Sequence, residues 1–141
     1  MRRGFNVIEI IIALVIVAVL AAIVLPRAAS FIDAIEVRGA VTEIESLFST
    51  ARHVAITRGV QSSLDIDPSR GTISVVAGAD LIRTREVAIA HGVVLQSTRA
   101  SITYAPTGMG YGAGNLSLIV TRNRVSDTIF VSRLGRVRHS R

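Results

Sequence analysis

Phe5 to Leu25 reads FNVIEIIIALVIVAVLAAIVL, twenty-one residues in which Asn6 and Glu9 are the only polar side chains. As a helix rising about 1.5 Å per residue, this stretch is roughly 30 Å long, enough to cross the hydrocarbon of a bilayer. Arg2 and Arg3 stand immediately before it, which orients a spanning helix with its N-terminus in the cytoplasm and the rest of the chain outside. Arg27 on the far flank partly offsets that charge difference. A discarded secretory signal is the competing reading, because LAAIVLPRAAS contains small residues. Against it, the apolar run exceeds the about 7 to 15 residues of such signals, and it carries a carboxylate.

Glu9 is the informative residue of this stretch. A carboxylate in a spanning helix costs roughly 2.5 to 3.5 kcal/mol, and it marks a functional position by default. Two readings are open. Either Glu9 lies close enough to the interface to stay solvated, or it takes a cationic partner. No cation lies within the helix, so a partner has to be a new charge nearby or come from another subunit. Cleavage after Gly4 would supply such a charge, a free amine on Phe5.

Gly4-Phe5-Asn6-Val7-Ile8-Glu9, preceded by Arg2-Arg3 and followed by an apolar run to Pro26, closely resembles the class III leader and N-terminal helix of type IV pilins and type II secretion pseudopilins. The resemblance implies that a prepilin peptidase cuts between Gly4 and Phe5 and methylates the new Phe5 amine. It implies that Glu9 pairs with the amine of a neighbouring subunit and so fixes the stagger of a growing filament. The implied partners are other pilin or pseudopilin subunits, the peptidase and inner-membrane lipid. The implied location is the bacterial inner membrane, single-pass with a periplasmic head, and then a filament. Asn6 and Val7 depart from the commoner hydroxyl residue and Leu; Gly4, Phe5 and Glu9 match.

Beyond this stretch the pattern changes. Pro26 has no N–H to donate and is expected to kink or interrupt the helix. Phe31, Ile32, Ile35, Val41, Ile44, Leu47, Phe48, Ala51, Val54 and Ala55 then recur near three- and four-residue steps, an amphipathic helix over about 28–58. Gly59 after Arg58 is the expected C-cap. Strand signals follow: VQSSLDI, the turn Asp67-Pro68-Ser69-Arg70-Gly71 and TISVV form an expected hairpin, with later runs at GVVLQS, SITYAP, NLSLIVTR and DTIFVSR. Residues 77–90 give no clear pattern. The economical fold is α+β: a long N-terminal helix, first hydrophobic and then amphipathic, packed on a small antiparallel sheet.

The implied organisation is a leader over 1–4, a membrane and filament-core helix over 5–25, an amphipathic helix over 26–58, and a β-rich head over 59–141 ending in a basic tail. ARHVAITRG at the helix end, the hairpin after it, the Gly-rich stretch and a closing strand into Gly135-Arg136 resemble the GspH/FimT family of minor pseudopilins and minor pilins. That resemblance implies a head of two small antiparallel sheets.

With 141 residues there is room for one domain of about 100 to 150 residues plus one further element, which argues against a two-domain enzyme. The absence of Cys removes disulfides, thiolate metal sites and cysteine nucleophiles. His53, His91 and His139 have no ligand spacing and read as surface or partly packed imidazoles. Gly108-Met109-Gly110-Tyr111-Gly112-Ala113-Gly114 precedes a strand, so it reads as an inter-strand loop and not as a phosphate cradle, which would open a helix. Asp65 and Asp67 beside the turn read as solvated capping groups. No enzyme, cofactor or metal is expected.

Charge is uneven. All sixteen cations are Arg, and from Arg99 onward seven of them face a single acid, Asp127. Arg122, Arg124, Arg133, Arg136 and Arg138 form a candidate DNA-binding face, with Arg136 and Arg138 on one side of a strand because side chains alternate. Gly135-Arg136-Val137-Arg138 also resembles the Gly-Arg-x-Arg motif of DNA-binding minor pilins of natural transformation, which implies DNA as a partner. The plain alternatives are a solvated charged face and a GC-rich genome that favours Arg codons.

Overall fold

A computed structural model describes residues 6–111, 115–132 and 134–140, the side chain of Ser140 apart. Arg2, Arg3, Gly4, Phe5, Arg133 and Arg141 therefore lie outside the described residues. The chain divides into two units, Met1–Ile32 and Asp33–Arg141.

Helix α1 (Val7–Arg58) contributes to both units. In the first, its apolar side chains from Val7 to Leu25 are largely exposed. Pro26 lies inside α1, which is not interrupted there. In the second unit, Val37, Ala40, Val41, Ile44, Leu47, Phe48, Ala51 and Ala55 are all buried. Those positions repeat every three or four residues, the spacing that keeps one helical face toward a core. The sequence pattern started this face at Phe31, whereas Phe31, Ile32 and Ile35 are at least half exposed and the buried stripe begins at Val37. Gly59 ends the helix at φ +64°, a left-handed conformation that costs a residue without Cβ little.

The head holds two antiparallel sheets. The first takes β1 (Ser62–Asp67), β2 (Thr72–Ala77), β3 (Asp80–Arg85), β5 (Ser101–Tyr104) and β6 (Gly110–Tyr111) in the order β3-β2-β1-β5-β6. The second takes β4 (Val94–Ser97), β7 (Leu116–Arg122), β8 (Val125–Val131) and β9 (Val137–Ser140) in the order β4-β7-β8-β9. A short helix, α2 (Val87–His91), precedes β4. The residue pattern gave one sheet; the two sheets implied by the family resemblance are what the chain forms.

Alternation sets the inner faces. Leu64, Ile66, Ile73, Val75 and Tyr104 of the first sheet, and Leu95, Leu116, Leu118, Val120, Ile129 and Val131 of the second, join the α1 stripe in one buried cluster. Each fully buried Ile, Leu or Phe there contributes about 1.5 to 3 kcal/mol relative to exposure. The hairpin turn is built as its residues require. Asp67 Oδ1 accepts from the Ser69 and Arg70 amides at 3.0 and 3.2 Å, and Gly71 adopts φ +65°. A Cβ at Gly71 would stand 2.0 Å from that of Ala88, so α2 rests directly on this turn.

Residues 77–90, unclear from the pattern, form β3 and α2. β3 is an edge strand whose side chains are mostly exposed on both faces. Its Asp80, Arg83 and Arg85 place charge along an edge that would otherwise invite further pairing. Part of the glycine run is ordered into a ladder: Gly110 and Tyr111 pair with Tyr104 and Thr103 as β6.

Candidate functional site

The first candidate is the helix of residues 7–32. Asn6 caps its start: the Asn6 carbonyl accepts from Glu9 N at 2.9 Å, and Asn6 Oδ1 lies a long 3.4 Å from Ile8 N. The amide thus fills the N-cap role that a hydroxyl side chain fills elsewhere. Glu9 is exposed in the first turn among Val7, Ile8, Ile10, Ile11 and Ile12, and has no ion-pair partner among the described residues. None of the most apolar eighteen-residue window of α1 is buried, and its length and composition suffice to cross a membrane. Gly4 and Phe5, the residues expected from the leader resemblance to be cut and methylated, lie outside the described residues.

In the head, α1 carries an acidic row that the sequence reading missed. His91, at the end of α2, has Nδ1 3.0 Å from Glu36 Oε2 and Nε2 3.1 Å from Glu43 Oε2. Only an imidazolium carries an N–H on both ring nitrogens, so this arrangement is fully satisfied in the charged form. Arg85 of β3 adds a contact to Glu43 at 3.5 Å. The ring lies over Gly39, where a Cβ would meet His91 Cε1 at 3.0 Å. His91 is thus a bridge between two carboxylates, more than the partly packed imidazole its isolation in the sequence indicated. Asp33, Glu36 and Glu43, spaced three and seven apart around Gly39, were the signal available.

The arginines divide. Arg122, at the end of β7, donates from Nε to Asp33 Oδ1 at 2.9 Å and from a terminal nitrogen to the His91 carbonyl. Asn123 Nδ2 donates to Asp33 Oδ2 at 2.9 Å. The Asn123 bond, with those from Arg122, holds the Asp33 carboxyl below its ordinary range despite partial desolvation. Arg122 is therefore committed within the head. Arg124 sits exposed in the β7–β8 turn. Arg136 and Arg138 are brought together: with Phe130, Ser132 and Leu134 they line one shallow depression. Arg138 lies across from Phe130 in the β8–β9 ladder. Neither Arg136 nor Arg138 has an ion-pair partner among the described residues. Arg133 lies outside them.

The remaining histidines differ. His53 is exposed on α1, and His139 Nδ1 is 3.2 Å from Glu45 Oε1. No cluster of three or more His, Asp or Glu able to hold a metal ion occurs among the described residues.

A long N-terminal helix, apolar and then amphipathic, packed in its second half against antiparallel sheets, is the pilin-like α+β architecture. The model of one family, type II transport protein GspH, matches residues 40–135, more than half of the sequence. The chain belongs to the GspH family. The match begins within the head, so the leader and Glu9 stand on their own residues. No curated protein matches the chain. Among solved structures, the type IV minor pilin FimU of Pseudomonas aeruginosa PAO1 is similar in its P21 crystal form, with TM-score 0.66 and 16% identity over 79% of this chain and 92% of that one. Its P65 form gives 0.62 and 14% identity over 74% and 92%. The minor pseudopilin EpsH of the Vibrio cholerae type 2 secretion system gives 0.61 and 10% identity over 74% and 96%. At these identities the likeness is one of fold.

Proposed function

We propose that this chain is a minor pilin or pseudopilin subunit, cut by a prepilin peptidase between Gly4 and Phe5, methylated on the new Phe5 amine, and assembled through its apolar helix into a type IV pilus or a type II secretion pseudopilus. Before assembly, residues 5–25 cross the inner membrane with the head in the periplasm. The carrying observation is the contrast within α1. The head builds its core from Val37 onward, while the apolar side chains of residues 7–25 are left exposed around one carboxylate, Glu9. Apolar surface of that extent requires lipid or neighbouring helices as its solvent. Both sources of cover serve a subunit that passes from bilayer to filament.

Glu9 then pairs with the Phe5 amine of a neighbour, which offsets the cost of its charge once water is excluded. Pro26 cannot donate to the Ala22 carbonyl, which loosens α1 between its two halves. The family and the fold shared with a minor pilin and a minor pseudopilin support a structural subunit and not an enzyme. The test is Glu9→Ala. This variant is expected to enter the membrane at least as well as wild type and to be depleted from assembled filaments. Normal incorporation would remove the pairing role.

A second reading, DNA capture by the head, is favoured by one observation: Arg136 and Arg138 converge beside an exposed Phe130. Cations that track phosphates beside an aromatic face are the elements of nucleic-acid binding. Arg122 does not belong to that set, because Asp33 holds it.

A further inference from the structure

Two surfaces of the head carry complementary chemistry on different flanks of α1. One flank meets α2: Glu36 and Glu43 hold His91, and Gly39 lies under its ring. The other meets the segment leading into β9: Glu45 contacts His139, and Ser49 and Arg52 line one pocket with Arg136. At about 3.6 residues per turn, positions 36, 39 and 43 point roughly 150° away from 45, 49 and 52.

On the first flank α2 presents a knob. Ile89 is 73% exposed, more than any other large apolar side chain among the described residues of the head. Glu86 lines the same open surface, is exposed, and has no ion-pair partner among the described residues. Its side chain does not cap α2 either. Arg85, the one cation in that lining, is drawn to Glu43 at 3.5 Å. The knob therefore offers a free carboxylate beside an apolar side chain.

On the second flank Phe130, Ser132, Leu134, Arg136 and Arg138 line an open depression of about 330 Å³. Phe130 is 45% and Leu134 68% exposed, and both arginines are exposed. No acid is among these lining residues. The depression thus pairs two uncommitted cations with two reachable apolar side chains. The phosphates of a nucleic acid would engage the cations and leave Leu134 uncovered, whereas an apolar knob that carries a carboxylate engages both halves.

We propose that the occupant of this depression is a second copy of the chain, with Glu86 of one head between Arg136 and Arg138 of the next and Ile89 against Phe130 and Leu134. The two surfaces differ and lie on different flanks, so the contact is head-to-tail and runs on from copy to copy instead of closing as a two-fold dimer. The matching patches are small, which makes the contact weak between free heads. A membrane or filament that holds copies side by side supplies the effective concentration it needs. The contact rests on the reading of this chain as a filament subunit, and adds which faces of neighbouring heads meet.

The test uses the full-length protein in membranes of cells that produce it, with a short bis-maleimide cross-linker. The chain has no Cys, so thiols can be placed singly. Ala90→Cys sits beside Ile89 on α2, and Thr128→Cys lies two positions from Phe130 on the same side of β8. A chain with both thiols is expected to give a ladder of dimers, trimers and higher species. The two single-thiol chains produced together are expected to give dimers only, and each alone to stay monomeric. Arg136→Glu with Arg138→Glu is expected to cut the cross-linked fraction of the two-thiol chain at least fivefold, and adding Glu86→Arg to restore at least half of it. All these side chains are on the surface, and circular dichroism verifies that the variants fold.

Absence of a ladder overturns the proposal, as does a ladder that the charge reversal leaves intact. Dimers from the Thr128→Cys chain alone would mean a self-facing contact and overturn it as well. If no ladder forms and added duplex DNA shields the Thr128→Cys thiol from maleimide, the depression belongs to nucleic acid and the proposal is wrong. A chain that is cut, methylated and incorporated into filaments without forming a ladder would remove this contact alone and leave the subunit reading standing.

Discussion

Arg122 and Asp33, eighty-nine positions apart in the sequence, meet Nε to Oδ1 at 2.9 Å, and Arg122 also donates to the carbonyl of His91. One guanidinium thus joins α1, the end of α2 and the β7–β8 corner. The apparent excess of free Arg in the last third of the chain is smaller than its composition indicates.

The first expectation concerns acid stability. Hydrogen bonds from Asn123 and Arg122 lower the Asp33 pKa, so the folded state holds this proton less tightly than the unfolded chain. The stability it contributes is present above the ordinary carboxylate pKa of about 4 and is lost as pH falls through the lowered folded value. Thermal unfolding of Asp33→Asn against pH is expected to show a lower midpoint than wild type at neutral pH, and a gap that closes as the pH falls from the ordinary carboxylate range through the lowered folded value. A constant gap across the acid range would remove the ion-pair account.

A sign reversal is expected at Gly39. Alanine in a helix interior is favoured over glycine by about 1 kcal/mol, but here its Cβ meets His91 Cε1 at 3.0 Å. Glu36 and Glu43 hold the ring from both nitrogens, which leaves it little room to move aside. Gly39→Ala is expected to destabilise the wild type and to stabilise a His91→Ala background by up to about 1 kcal/mol, measured by denaturant unfolding of the four proteins.

Much of this was legible in the sequence, and the failures have physical causes. The apolar run, its carboxylate and the α1 stripe are contiguous or periodic, so one chain suffices to read them. Alternation says which face of a strand is buried but not which of two sheets the strand joins, and the residue pattern therefore gave one sheet. β3 reads DLIRTR, an edge strand wet on both sides, so it carries no alternation to detect. The pairings of His91 with Glu36 and Glu43 span 55 and 48 positions, and those of Arg122 with Asp33 are longer still. Residue types alone leave such partners unassigned.

Removing the buried Tyr104 hydroxyl, which has no hydrogen-bond partner among the described residues, is expected to help the fold. Tyr104→Phe should raise stability by about 1 kcal/mol, because a buried donor without an acceptor no longer has to be desolvated. The alkaline limb should also change. With burial pushing the folded phenol up to about 12 against about 10 in the unfolded chain, wild type loses stability as pH rises through that window. Tyr104→Phe is expected to lack this loss, a difference visible in unfolding curves at pH 9, 10 and 11.

For the DNA reading, mobility shifts at several salt concentrations separate tracking cations from a solvated face. Arg136→Gln with Arg138→Gln is expected to weaken binding and to reduce the salt slope by about two, one for each phosphate no longer neutralised. Arg122→Gln should leave the slope unchanged. No binding at low salt, or a slope indifferent to the double change, would leave the head without a nucleic-acid role.

The most direct measurement is the intact mass and N-terminal residue of the protein recovered from cells that carry a prepilin peptidase. A chain beginning at N-methylated Phe5 is the result expected of a pilin-class subunit. A chain beginning at Met1 would contradict that reading and leave a plain membrane anchor, and one beginning between Ala28 and Phe31 would make residues 5–25 a discarded secretion signal.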